Sequence, residues 1–343
     1  MQVAETVTFK GGGLCRNISN VIVKALPILS LIISFVILYL IYPGTFEPVW
    51  TGTWENRVGY ILFAWLSLFE ATIAWDDLQI REWFLVNRKI VFVPLLLSPT
   101  FYVLAANFLG FNQAIVNLSQ SFGIKPAWAA LMPLSIEYLV FCFLFTLILL
   151  LEYGFNGLRL HSISISFLMV FGVVYMINNL QPFGEFAPFQ ALAVPTAIFA
   201  EKILSLMGYK TALFLANSVP SLYAVNPNNP AESFAAQIDW PCAGVESLMI
   251  YTVTILLFLK KSGFSIRQSL IYFLVGAAIT YFINILRITT LYVIAIHGGG
   301  WGIFHDYFGP LYSSLWIVLY PLLIIGSREL WFKLRRGVDR HWV

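Results

Sequence analysis

QIDWPCAGVESLMIYTVTILLFLKK, residues 237–261, decides how the rest of the chain is read. Between Gly244 and Lys260 the only charge is Glu246, and the run closes on two lysines. A stretch this apolar and this long crosses a hydrocarbon core, which needs roughly 20 such residues in a helix. At its mouth stands Cys242, behind a proline and ahead of Gly244. A cysteine there is a buried filler, a metal ligand or a nucleophile, and the residues around it have to separate the three.

Composition extends the membrane reading to the whole chain. Of 343 residues 59% are hydrophobic, 17% aromatic and only 11% charged, with a mean hydropathy of +0.80; soluble domains carry about 25% charged residues. Apolar runs recur near 25–42, 58–75, 90–109, 128–151, 163–181, 244–260, 268–296 and 308–327. The expected fold is therefore an all-α polytopic membrane protein of about eight transmembrane helices in a single domain. The first run is too long for a signal-peptide core and is followed by YPGTFEP (42–48), so it is expected to be a retained anchor. Residues 187–209 are also apolar but carry Pro195, Glu201 and Lys202, which favours an interfacial or packed helix over a span.

Eight spans put both termini on one side, and basic residues select that side. The loops that share a side with the termini hold fifteen Lys or Arg. The opposite set holds four: Arg57, Lys125, Lys202 and Lys210. Both termini are thus expected in the cytoplasm, with the 182–243 segment and the 297–307 loop outside. Within the outer segment, between spans five and six, SLYAV (221–225) and AAQIDW (235–240) flank NPNNPAES (226–233), a cluster of turn residues. Two short extended stretches joined by a loop are expected, the second leading into Cys242.

Ionisable groups inside spans are costly and face the bundle interior or a watery cavity. Glu70, Glu137, Glu246 and Arg287 are such groups. Glu70 and Glu137 read as interior acids held by hydrogen bonds. Arg287 shares a helical face with Asn284, three residues earlier, and lies in the outer half of its span. It either snorkels to the outer headgroups or lines a cavity open to the outer face. His305 immediately precedes the last span. Cys242, Arg287 and His305 are therefore expected at one level of the membrane.

Cys142, in LVFCFLFTL (139–147), is a small buried hydrophobe. Cys242 is set differently: Pro241 suits a first helical turn, which would put the thiol at the positive end of a helix dipole. Such a site with a cation nearby favours a thiolate, and Gly244 would allow close approach of a substrate backbone. A zinc site of Cys242, His297 and His305 lacks paired local ligand spacing. HExxH and GxSxG are absent, as is any nucleic-acid motif, and no cofactor is implied.

CAGVES (242–247), NILRI (284–288) and FHDYFG (304–309), with the upstream LQPFGEFAPFQALAVPTAIFAEKILSLMGYK (180–210), together resemble the exosortase/archaeosortase family. The resemblance covers roughly residues 160–327 as a catalytic core, while the four spans of residues 1–160 carry nothing specific. Each motif alone is weak; the ordered set Cys, Asn-x-x-Arg, His-x-x-x-Gly is strong. It implies a membrane cysteine peptidase or transpeptidase of a prokaryotic plasma membrane, with Cys242 as nucleophile, Arg287 as basic partner and His305 as third catalytic group. The implied partners are membrane-anchored proteins bearing C-terminal sorting signals, with transfer to an acceptor such as a phospholipid. Asn284 is expected to orient Arg287, and Glu246 to pair with it. The competing reading is a transporter or channel using the intramembrane Glu and Arg residues, and a structural membrane protein is a third.

Overall fold

The computed structural model describes residues 11–47, 55–80, 85–180, 187–216, 219–305 and 309–339. Among the described residues, six helical segments are long and apolar enough to cross a membrane: Lys24–Ile41, Ile90–Phe108, Pro126–Leu160, Ser162–Leu180, Cys242–Lys260 and Ile266–Ile296. Two further apolar helical segments, Val58–Ile73 and Leu315–Arg328, are shorter. All eight fall on the expected apolar runs, and the protein is multi-pass. The chain divides into two compact units, Met1–Met176 and Ile177–Val343, the boundary falling in the last turns of a helix.

The first unit contains helices α1 (Gly11–Ile41), α2 (Val58–Ile73), α3 (Leu85–Phe108), α4 (Phe111–Ser121), the single turn α5 (Pro126–Ala129), α6 (Met132–Leu160) and α7 (Ser162–Leu180). Aromatic rings fill its centre: Phe35 stacks on Tyr60 at 4.5 Å, and Phe141 meets both edge-on. Offset and edge-to-face geometry of this kind suits the ring quadrupoles.

Glu70 and Glu137, the two acids expected inside spans of this unit, are both satisfied. Glu137 receives Arg57 through two bonds, Nε at 2.8 Å and a terminal nitrogen at 3.0 Å, and the Tyr60 hydroxyl at 2.9 Å. Arg57 also donates to Thr45 and lies over the Tyr42 ring. Its place among the loop charges of the sequence does not hold in the fold, where it is buried as a bidentate ion pair. Glu70 accepts the backbone N–H groups of Ile163 and Ser164 and the Ser164 hydroxyl, at 3.3, 2.9 and 2.7 Å. A carboxylate placed there caps the N-terminus of α7 and complements its dipole.

The second unit begins with α8 (Ala187–Leu206). Then follow strands β1 (Lys210–Ala216), β2 (Val219–Asn226) and β3 (Asn229–Gln237), and helices α9 (Glu246–Lys261), α10 (Ile266–Ile296), the short α11 (Trp301–Ile303) and α12 (Gly309–Asp339). The expected insertion is present, folded as a three-stranded antiparallel sheet of order β1–β2–β3 instead of two extended stretches. β1, KTALFLA, alternates too weakly to announce itself. β3 starts at Asn229, inside the turn cluster, because Pro227 and Asn228 alone make the turn, where the Asn226 side chain accepts the Asn228 N–H at 3.1 Å.

The 187–209 segment is a packed helix. Ala193, Ala197, Ala200 and Leu204, spaced at three or four residues, are fully buried, while Phe199 and Leu206 are exposed. That seam joins Leu222 and Ala224 of β2 and Ile285, Ile288 and Tyr292 of α10 in one core. The Tyr292 hydroxyl reaches the carbonyls of Leu222 and Ala236, clamping the helix to the sheet. Below it, α9, α10 and α12 pack around Tyr251 and Tyr320, which bond to carbonyls of Phe273 and Tyr272. Gly276 makes this approach feasible, since a Cβ there would sit 2.1 Å from the Tyr251 hydroxyl.

Candidate active site

β3 delivers the chain to Cys242 through Ile238 and Trp240, both buried. Residues Pro241–Val245 form a wide, π-type turn, and regular helix begins only at Glu246. The interruption is Gly244, at φ +94°, a left-handed conformation that glycine alone adopts without strain. Cys242 therefore sits one turn ahead of α9 and not in its first helical turn as expected. The Ala243 N–H closes the turn onto the carbonyls of Asp239 and Trp240, at 3.1 and 3.2 Å. Burial pushes the Asp239 carboxyl above its usual range. The Cys242 side chain is partly buried against the sheet and α10 core. Cys142 is buried in α6, as its apolar setting implied.

Asn284 holds this turn in place. Fully buried on α10, it donates its side-chain N–H to the Cys242 carbonyl at 3.0 Å. A Cβ on Gly244 would lie 2.9–3.0 Å from the Asn284 side chain. The space beside Gly244 is thus filled by Asn284, where a substrate backbone had been expected. Asn284 does not bond to Arg287, and its Oδ1 accepts no hydrogen bond among the described residues.

One turn further along α10, Arg287 donates to the main-chain carbonyl of His305 at 3.2 Å. Its Nε lies so close to Gly309 that a Cβ there would come within 2.5 Å. The guanidinium is thereby lodged against the backbone ahead of α12, instead of reaching for headgroups. This role of Gly309 was missed; its only trace in the sequence is the glycine four residues after the histidine. Asp306–Phe308 lie outside the described residues, and so does the side chain of Glu246, so its expected pairing is not described.

The structure thus links Cys242 to Asn284, and Arg287 to the backbone at His305 and Gly309, with Asn284 and Arg287 one turn apart on α10. His297 belongs to a different group. Its ring nitrogens meet the Tyr209 hydroxyl at 2.9 Å and the Glu232 carboxylate at 3.2 Å, tying the end of α10 to the β2–β3 hairpin. The Asn226 and Asn229 side chains donate to the same carboxylate at 2.7 and 2.9 Å. These bonds from the two asparagines, with His297 adding to them, hold the Glu232 carboxyl below its usual range. Among the described residues no group of three His, Cys, Asp or Glu is gathered for a metal.

No curated protein and no solved structure matches the chain. A family model described as transmembrane exosortase matches residues 60–322, which takes in most of α2, the sheet, the cysteine turn, Arg287, His305 and the first part of α12. With that match running over most of its length, the chain belongs to the transmembrane exosortases, a family of membrane protein-sorting transpeptidases of the cysteine type that act on membrane-associated substrates with C-terminal sorting signals.

Proposed function

We propose that Cys242 is the nucleophile that cleaves the sorting signal of an exported protein, with Arg287 and His305 as its partners. The observation that carries this reading is the pair of contacts Asn284 to the Cys242 carbonyl and Arg287 to the His305 carbonyl. Through them, three motifs far apart in sequence attach to one face of α10. The Cys242 sulfur, as thiolate, attacks the substrate carbonyl carbon and forms a C–S bond. Arg287 stabilises the charge that develops on the carbonyl oxygen. His305 gives a proton to the departing amine, the C–N bond breaks and a thioester remains. An acceptor nucleophile then loses its proton to His305 and attacks the thioester, and the C–S bond breaks to release the Cys242 thiolate. A phospholipid headgroup is a fitting acceptor, because the thioester forms beside the membrane.

The basic-residue asymmetry supports both termini in the cytoplasm and the sheet and Cys242 on the outer face. The scissile bond of a substrate anchored by its own C-terminal helix then lies at the level of the thiol. The interior acids give a transport path little support, since Glu70 caps α7 and Glu137 is engaged by Arg57 and Tyr60.

The test is co-expression with a tagged protein from the same genome that ends in a C-terminal sorting signal. Cleavage should disappear with Cys242→Ala, and a hydroxylamine-labile adduct should form in the parent. Unchanged cleavage by Cys242→Ala would remove the nucleophile assignment. Labelling of Cys242 by a membrane-impermeant maleimide in intact cells tests its side; labelling only after lysis would reverse the topology.

A further inference from the structure

We infer that the open edge of β3 is the docking strand for the substrate: the extended polypeptide segment preceding the scissile bond adds to the sheet as a fourth strand and is led along β3 to Cys242. This rests on the proposed role of Cys242.

The phase of the ladder comes first. The Ile238 N–H bonds to the Pro220 carbonyl at 2.8 Å, and in an antiparallel pair the bonded positions alternate. Ala236 opposite Leu222 and Phe234 opposite Ala224 are then the bonded pairs facing β2. Gln237, Ala235 and Ser233 point their N–H and C=O groups the other way, and β3 is the last strand of the sheet. None of the three makes a backbone bond to a described residue outside the sheet. Three donor–acceptor sets at alternate residues are what an added strand pairs with.

The second observation is that this edge is unguarded. Natural edge strands carry lysines, prolines or bulges that block unwanted pairing. On β3 such features come early: Pro230 and Glu232 precede the regular register, which shifts at Val225/Asn226. From Ser233 to Gln237 the residues are Ser, Phe, Ala, Ala and Gln. The small Ser233 and Ala235 and the longer Gln237 are exposed.

Position and rigidity select the occupant. Gln237 lies five residues before Cys242, about 17 Å at most in extended chain, so a peptide laid along β3 reaches the thiol without a turn. The other edge, β1, is two strands away, about 10 Å across the sheet. Tyr292 fixes β2 and β3 to α10, and His297 with Glu232 fixes their hairpin, so the edge is already shaped. Main-chain pairing reads extended conformation more than side-chain identity. It suits an enzyme whose substrates share only a short signal.

Two measurements test the docking edge in the full-length protein. Ala235→Pro deletes an N–H aimed at the open edge while leaving the ladder to β2 whole, a substitution edge strands tolerate. Cleavage of the tagged sorting-signal reporter should slow at least about tenfold, with the melting temperature in detergent and Cys242 labelling retained. In the second, Ala235→Cys is placed in Cys242→Ser protein, and single cysteines are walked through the reporter upstream of its scissile bond. Disulfide trapping should favour every second position, the period of a strand. Parental cleavage by Ala235→Pro, or trapping without alternation, overturns the docking edge. If Ala235→Pro fails to fold, the trapping pattern decides alone. Persistent cleavage by Cys242→Ala would instead remove the catalytic role of the thiol, and trapping would still decide the edge, because it needs no turnover.

Discussion

The side chain of Asn284 donates to the main-chain carbonyl of Cys242 at 3.0 Å and fills the space that a Cβ on Gly244 would need. One residue of α10 therefore sets the height of the thiol and explains the glycine two positions after it.

Removing that support should separate folding from presentation of the thiol. Asn284→Ala leaves the Cys242 carbonyl without its donor, a loss of about 1–3 kcal/mol for a buried group. The protein should still fold, while cleavage falls by up to about a hundredfold, the scale expected when a reacting atom moves by an ångström. Gly244→Ala should be harsher, adding about 1–3 kcal/mol of backbone strain to the clash with Asn284. Alkylation rates of Cys242 measured beside cleavage rates check both. An Asn284→Ala enzyme with parental rates would show that the hydrogen bond is incidental.

Gly309 is predicted to act through Arg287. A methyl group there comes within 2.5 Å of Nε, and the flexible arginine yields before the backbone does, leaving the His305 carbonyl. Gly309→Ala should lower kcat with little effect on KM, as for a group that acts on the transition state. Arg287→Lys should not substitute, because an ammonium lacks the planar fork of a guanidinium. Steady-state cleavage of the sorting-signal reporter reads both parameters.

The buried pair in the first unit predicts a change in stability. Glu137→Gln leaves the Arg57 charge in the interior without its counter-ion, a loss of about 3–5 kcal/mol. The double replacement Arg57→Met with Glu137→Leu should recover most of it, since it removes both desolvated charges. Thermal unfolding in detergent gives the comparison. A Glu137→Gln protein as stable as the parent would mean that the pair is solvated.

Most of this architecture was legible, and the reason differs by element. The spans could be read because lipid imposes one rule, length and apolarity, which 244–260 or 268–296 obey plainly. Cys242, Asn284, Arg287 and His305 stood out because polar groups at those places need a reason. What could not be read was how they touch. Asn284 faces the Cys242 carbonyl and not Arg287, a choice made by the wide turn at Gly244, which no periodicity encodes. β1 was missed because KTALFLA (210–216) is short and apolar on both faces, so it reads equally as the end of a helix. Arg57 looked like a loop charge because its partner lies 80 residues away.

The hairpin that begins β3 should loosen in acid, with a sign fixed by Glu232. Its carboxyl is held below the ordinary 4.5 by the Asn226 and Asn229 side chains first and by His297 second. A depressed carboxyl contributes stability that is present above its unfolded pKa and is lost as pH falls through the folded value. Between pH 7 and 5 the carboxylate should therefore change nothing. Below about pH 4 the protonated acid gives up acceptor strength, and amide protection at Ala231, bonded to the Asn229 side chain, and at Phe234, the first β3 amide facing β2, should fall. Hydrogen exchange corrected for intrinsic rates measures this, with Glu232→Gln as control. That variant should be less protected at pH 7 and lose the acid-dependent step. Because Glu232 lies at the start of β3, acid should lower amide protection at Phe234 before it lowers protection at Ala236, the next amide facing β2. An equal fall at both would mean that Glu232 does not anchor the strand.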